Sequence, residues 1–444
     1  MIYNKGDLKL QIGDEQTLGK NVIYINKHLH EFQSGPHSIF FDKTILCGDL
    51  ARLMAQLRKQ EAFSLKKFEI MATEIDINPY VAREVHLPIM EKLGYIQVHR
   101  DNAGNITKIE EYIPPKEEEI IKRTGELWIG EQTDLNIQSL AKEPHEIEKL
   151  VVIALELCSQ LPRYESELQN DLSTLGIKNE VFATALSLSE KLNILSIYKD
   201  PEAKEAVIAS EYVFGENAVK IRKAVDHLPE DIKQQILDVY EKISNNQGLP
   251  EKSLRNLREP IRQFGQIGLF EPVSIETAKG VRETFLFTPR MWSTLKRSAM
   301  DIYDEVKLYI ASIRFGQYFA EIRIWDPVLL TEALLRDGIV GPATPIGTDY
   351  ILLEKRGIVR IVESPIPGRY YMELLKRDIV EIALDVLKAG YVSPLKKVDV
   401  EWYSMTQLTH GYSPEQERIR LRKESPPVPD QIACELLKFL RGGL

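Results

Sequence analysis

Cysteine is scarce in this chain. Three occur in 444 residues, Cys47, Cys158 and Cys434, and they stand far apart. They form neither a Cys-x-x-Cys pair nor a zinc spacing, which excludes a zinc ribbon and a disulfide-built scaffold. Core thiols in a reducing cytoplasm are the expectation. Long apolar runs are missing too: none approaches the roughly 20 residues of a membrane span. The opening MIYNKGDLKLQIGDE lacks a basic start followed by an apolar core, so no signal peptide is expected. A cytoplasmic location and no membrane partner follow as expectations. An excess of positive charge is also lacking. Lys and Arg number 57 against 66 Asp and Glu, and the net charge of −9 argues against a surface that coats nucleic acid throughout. It leaves room for a local basic face.

The motifs of common chemistry are absent as well. There is no Gly-rich phosphate loop ending in Gly-Lys-Ser/Thr, no dinucleotide fingerprint, no His-Glu-x-x-His and no Gly-x-Ser-x-Gly. No catalytic residue and no cofactor is assigned, and the chain reads as a non-enzyme. The segment HLHEFQSGPH carries His28, His30 and His37. On a strand, His-x-His turns both rings to one side. No carboxylate or cysteine stands at a ligand spacing beside them. A surface extension is preferred to a metal site, and a metal-dependent enzyme is the minor alternative. Within that extension, residues 1–42, short strands are expected at Asn21–Ile25 and Ser38–Phe41.

What is present is a pattern that returns four times, with helices followed by an apolar strand, a polar tip and a second strand. The clearest copy is NPYVAREVHLPIMEKLGYIQVHRDNAGNITKIEEYI. Ser64 is placed to cap a second helix, and Asn78 with Pro79 to start a third. Pro88 should bend that helix and Gly94 should end it. Tyr95–His99 and Ile106–Ile113 are the expected strands around the tip Asp101–Asn105. The other copies run near Asn179–Val213, Leu249–Phe287 and Thr344–Met372. Asp326 with Pro327 repeats the cap logic of Asn78 with Pro79. The expected domains are 43–114, 145–215, 216–289 and 290–390. A charged linker at 115–144, with Ile120, Ile121, Leu127 and Trp128 able to dock on a neighbour, separates the first two, and a tail at 391–444 carries RIRLRK and a short terminal helix at Asp430–Leu440.

The helix–helix–helix–strand–strand order resembles the winged-helix superfamily. The resemblance implies a mainly α fold with small β-wings (α+β), built of tandem winged-helix domains. The superfamily includes transcription regulators, replication initiators and subunits that hold protein partners, so the fold leaves the ligand open.

Winged helices that bind duplex DNA place the third helix in the major groove and the wing near the backbone. The third copy carries the residues for this: Lys252, Arg255, Asn256, Arg258, Arg262 and Gln263 along its helices, with Lys279 and Arg282 at the wing. On a continuous helix, Arg255, Arg258 and Arg262 would share one face. The bland reading is a solvated or salt-bridged surface. The first copy offers Tyr80, Arg83, His86, Lys92 and Arg100, offset by Glu84 and Glu91. The second copy presents Phe182, Ala183, Ala185, Leu186 and Leu188, which suit protein packing. Lys355, Arg356 and Arg360 mark the fourth. Trp292 in RMWSTLKR could clamp nucleic acid, with a core position preferred. Double-stranded DNA is thus the leading partner. A protein-interaction scaffold within a multi-subunit complex is the alternative, and a homo-oligomer is compatible with either.

Overall fold

The computed structural model describes residues 15–30, 39–60, 62–111, 117–130, 137–174, 179–216, 221, 224–289, 300–389 and 407–441. Among the described residues helices dominate, and the strands form four small antiparallel sheets. The mainly α, α+β class is therefore as expected. The chain divides into two compact units. The first comprises Met1–Val213, Ser298–Met300 and Ala433–Leu444, and the second Phe214–Arg297 with Asp301–Ile432.

In the first unit α1 (Glu15–His30) and α2 (Asp42–Leu57) precede β1 (Ala62–Phe63), α3 (Leu65–Glu74) and α4 (Pro79–Val81). A π-helical turn, Ala82–His86, leads into α5 (Leu87–Lys92), β2 (Ile96–Arg100), β3 (Ile106–Glu111) and α6 (Glu117–Ile129). Then come α7 (Gln138–Ala141), α8 (Glu146–Gln160), β4 (Arg163–Tyr164), α9 (Glu165–Thr174) and α10 (Asn179–Lys191). The hairpin β5 (Ser196–Lys199) and β6 (Ala206–Ala209) closes the series before α11 (Tyr212–Glu216).

Neither expected strand of the extension is present among the described residues. Asn21–Ile25 is not a strand but the middle of α1. Leu18, Val22, Ile25 and Leu29 are all buried, and their spacing of four, three and four is helical. The short apolar run Val22–Ile25 taken alone had suggested a strand. Ile39 and Phe40 form a 3-10 turn, while Ser38 and His37 lie outside the described residues. In the charged segment 115–144 the four apolar residues expected to dock lie on one helix. Ile120, Ile121, Leu127 and Trp128 of α6 are buried, and Trp128 Nε1 donates to Thr44 Oγ1 of α2 at 3.0 Å. A Cβ on Gly19 would strike the Ile121 carbonyl, and one on Gly125 the Glu15 carbonyl. Only glycine lets α1 and α6 approach backbone to backbone in this way.

Local signals act as read. Ser64 Oγ accepts from Lys67 N, and Asn78 Oδ1 accepts from Tyr80 N at 2.9 Å with Pro79 at the first helical position. Pro88 cannot donate to a residue one turn back, and the chain widens into the π-helical turn just before it. Gly94 takes φ +73° at the helix end. Asp101 Oδ1 accepts from Ala103 N and Asn105 N and so shapes the hairpin tip.

The second unit holds α12 (Glu230–Ser244), β7 (Leu249–Pro250), a 3-10 helix at Glu251–Leu257, α13 (Arg258–Gln266), and the hairpin β8 (Glu271–Thr277) and β9 (Arg282–Phe287). There follow α14 (Met300–Tyr318), α15 (Pro327–Asp337), β10 (Ile339–Ala343), α16 (Ile346–Asp349), α17 (Ile351–Lys355), β11 (Val359–Glu363), β12 (Tyr370–Leu374) and α18 (Arg377–Ala389). Last are β13 (Leu408–Tyr412), α19 (Pro414–Glu424) and α20 (Asp430–Leu440), whose residues from Ala433 on belong to the first unit. Asp326 Oδ1 caps α15 through Val328 N and Leu329 N.

The four sheets share one order. Each repeat has a first strand that pairs with the third, leaving the second outside: β1-β3-β2, β4-β6-β5, β7-β9-β8 and β10-β12-β11. These first strands, three of them only two residues long, are invisible to periodicity. The third sheet alone takes a fourth strand, with β13 pairing along the outer edge of β8.

Candidate nucleic-acid interface

The third repeat carries the basic residues singled out in the sequence. Its α13 begins with Arg258 and Glu259, the exposed residues of that helix. Pro260, Ile261, Phe264, Gly265 and Gln266 are buried. Arg258 and Arg262 do share a face, since both guanidinium groups reach one carboxylate, Glu251 Oε1, at 3.3 Å and 3.2 Å. Arg255 does not extend that row along a single α-helix. It lies in the preceding 3-10 helix, where Leu254 (φ −116°, ψ 36°) is non-helical, and Leu257 (φ −120°) begins the next helix. The i, i+3, i+7 argument needed an unbroken helix, and the backbone breaks between Arg255 and Arg258. The side chains of Arg255 and Asn256 lie outside the described residues.

Lys252 pairs with Glu283. Glu283 and Arg282 are neighbours on β9, so their side chains leave opposite faces of the hairpin. Lys252 is thus on the other side of the sheet from Arg282. Arg282 is held by the tail: its guanidinium sits 3.6 Å from the centre of the Tyr412 ring and bonds the buried carboxylate of Glu417. The same Glu417 accepts from Arg420 at 2.7 Å. Tyr412 donates to Glu276 at 2.6 Å, and burial followed by that bond pushes its phenol up to about 12. Lys279 is exposed at the hairpin tip beside Gly280 (φ +75°).

The RIRLRK segment of the tail is therefore part of the second unit. It forms most of α19, where Ser413 and Gln416 make a capping box. Arg422 donates to Gln266 O at 3.1 Å. Sequence reasoning missed β13 and the role of Glu417. The alternation in Leu408–Tyr412 is too short to announce a strand.

In the first repeat Arg83 and Arg100 are paired locally. Arg83 bonds Glu84 at 2.7 Å and Glu69 at 3.2 Å. Arg100 makes two bonds to Glu91, at 2.7 Å and 2.8 Å, which hold that carboxyl below the usual range. The outward residues of its third helix include apolar ones, with Tyr80 64% exposed and Val81 and Val85 exposed beside Ile70 of α3, alongside the exposed Glu84 and Lys92. His86 is buried rather than outward.

Ala183 of α10 is exposed. Phe182, Ala185, Leu186 and Leu188 of α10 are buried. Lys355 donates to Thr409 O at 3.2 Å, and Arg360 pairs with Glu373 at 3.4 Å. RMWSTLKR, with Trp292, lies outside the described residues. His28 and His30 are on a helix, so the strand geometry that would align them is absent. His28 Nδ1 faces Leu192 O at 3.2 Å, and His30 bonds Asp49 at 2.5 Å. Among the described residues no group of three or more His, Cys, Asp and Glu is arranged to hold a metal. No described helix is long and apolar enough to cross a membrane. The three cysteines are buried and unbridged. Comparison with family models, characterised proteins and solved structures finds no match to this chain.

Proposed function

We propose that the four repeats are winged helices in tandem and that the chain is a non-enzymatic cytoplasmic protein that binds double-stranded DNA. It would act in transcriptional control or as a DNA-recruiting subunit. The shared sheet order, first strand beside third, supports the tandem reading. The observation that carries the DNA reading is the third repeat: Arg258 and Arg262 share a face of α13, and Lys279 and Arg282 stand on the adjoining hairpin. These are the two elements a winged helix turns toward a duplex, and cations there can contact phosphates on both. A fluorescence-anisotropy titration of a labelled duplex over a range of salt tests this. Affinity should fall steeply with salt, and Arg258→Ala with Arg262→Ala should lower the log–log slope by about 2. Absence of binding at low salt sinks the reading.

A protein-binding scaffold is the second reading. It is favoured by the first repeat, where Tyr80, Val81 and Val85 face solvent while Arg83 and Arg100 are paired with carboxylates. An exposed aromatic and two valines suit a protein partner better than phosphate. A purified complex that survives high salt and is lost in Tyr80→Ser with Val85→Ser would favour it.

A further inference from the structure

We propose that α19 is a cover built into the chain, lying on the duplex-facing side of the third repeat, so that α19 and DNA compete for one surface. The proposal rests on the DNA reading above.

The strand β13 brings the tail to the site. It pairs with β8 from Leu408 to Tyr412, is anchored by the fully buried Leu408, and ends with Tyr412 against Arg282. Ser413 starts α19 at once. The helix then runs over the end of α13: Leu421 lies 3.1 Å from where a Cβ of Gly265 would stand. Arg422 holds Gln266 O, and Gln266 Nε2 donates to Pro426 O at 2.8 Å. The C-terminal end of the helix that a winged helix offers to the major groove is thus occupied. At the hairpin, Glu417 takes the Arg282 guanidinium. A phosphate bound there must displace that carboxylate, because the donors that face Glu417 cannot serve both.

The way α19 is held suits a cover that yields. Its sequence, PEQERIRLRKE, has Ile419 and Leu421 as its large apolar residues, and its other fastenings include the Arg282–Glu417 ion pair and the hydrogen bond from Arg422 to Gln266 O. A polyanion competes directly with Glu417 for the Arg282 guanidinium. An eleven-residue helix does not persist alone in water, so α19 is a helix because it is docked. Its departure is a local unwinding from Ser413 onward that leaves β13 in the sheet.

Two measurements on the full chain test this with one labelled duplex. Glu417→Gln keeps the side-chain shape and removes the charge that holds Arg282. It should bind the duplex roughly 5- to 150-fold more tightly than the parent chain, the usual range for coupled equilibria. In the unaltered chain, saturating duplex should speed hydrogen exchange at the α19 amides while β13 stays protected, since competition is reciprocal. If duplex binds both proteins with equal affinity and α19 keeps its protection, the cover is wrong and the DNA reading stands. If neither protein binds duplex at low salt, the DNA reading fails and the cover falls with it.

Discussion

Arg282 and Glu417 stand 135 residues apart in the chain and meet as an ion pair whose carboxylate is fully buried. One lies on the hairpin of the third repeat and the other on the tail helix. A buried carboxylate of this kind depends on its donors, because it has lost its water.

Arg282→Ala leaves Glu417 with Arg420 as its remaining cation. The second unit should lose about 1–3 kcal/mol. Arg282→Lys should recover only part of it, because an ammonium cannot both bond the carboxylate and lie flat on the Tyr412 ring. Urea midpoints of the three proteins decide the matter. An Arg282→Ala protein as stable as its parent would show that this pair does not fasten the tail.

The first unit has a pH dependence set by Asp49. Its carboxylate lies between two imidazoles, 2.5 Å from His30 Nε2 and 3.4 Å from His86 Nε2, with Asn26 Nδ2 donating at 2.8 Å. Burial raises its pKa, but the bond from His30 and the charges of both imidazoles outweigh this and hold it below the ordinary 3.8. Burial holds His86 below its ordinary 6.5. On unfolding, His86 takes up a proton that the folded chain refuses. Stability should therefore fall as the pH drops from about 6.5 toward the folded pKa of His86. The contribution of Asp49 is present above pH 3.8 and is lost as the pH falls through its lower folded value. His86→Asn should flatten the first slope and leave the acid loss, as read from denaturation midpoints at a series of pH values. An unchanged slope between about pH 5 and 7 would remove His86 as its source.

Trp128 joins α6 to α2. Trp128→Ala should cost the first unit about 3–5 kcal/mol. Trp128→Phe keeps most of the packing and loses the bond to Thr44, a cost of about 1 kcal/mol for the bond itself. Thermal unfolding followed by near-ultraviolet circular dichroism reports both. Equal midpoints for Trp128→Ala and parent would mean that α6 is dispensable to the fold.

Gly125 makes a simpler prediction. A methyl group there meets the Glu15 carbonyl, so the two helices must separate. Gly125→Ala should destabilise by about 1–3 kcal/mol although alanine is the better helix former. A stabilised Gly125→Ala protein would contradict the close crossing of α1 and α6.

Much of the local structure was legible. The caps at Ser64, Asn78 and Asp326, the disturbed helix at Pro88, the glycine stop at Gly94 and the terminal helix Asp430–Leu440 all follow from residues within a turn of one another. The candidate cations of the third repeat were legible as a cluster, but not their partners. Arg255 was counted into a helical face because its spacing is helical, and the break at Leu257 gives no sign in the sequence. The helix at Glu15–His30 was misread because four apolar residues in a row look alike in a short strand and in the buried face of a helix.

By itself the sequence determined where helices start and stop, where hairpins turn and which class of fold results. Those choices are made by hydrogen bonds and backbone preferences that reach only a few residues. Tertiary structure decided that α6 belongs to a core, that β13 extends the third sheet, and that Glu417 holds Arg282. These depend on which surfaces meet after the chain has folded back over more than a hundred residues, as the separation of Arg282 from Glu417 illustrates. A charge in a sequence carries no mark of the partner that burial will bring to it.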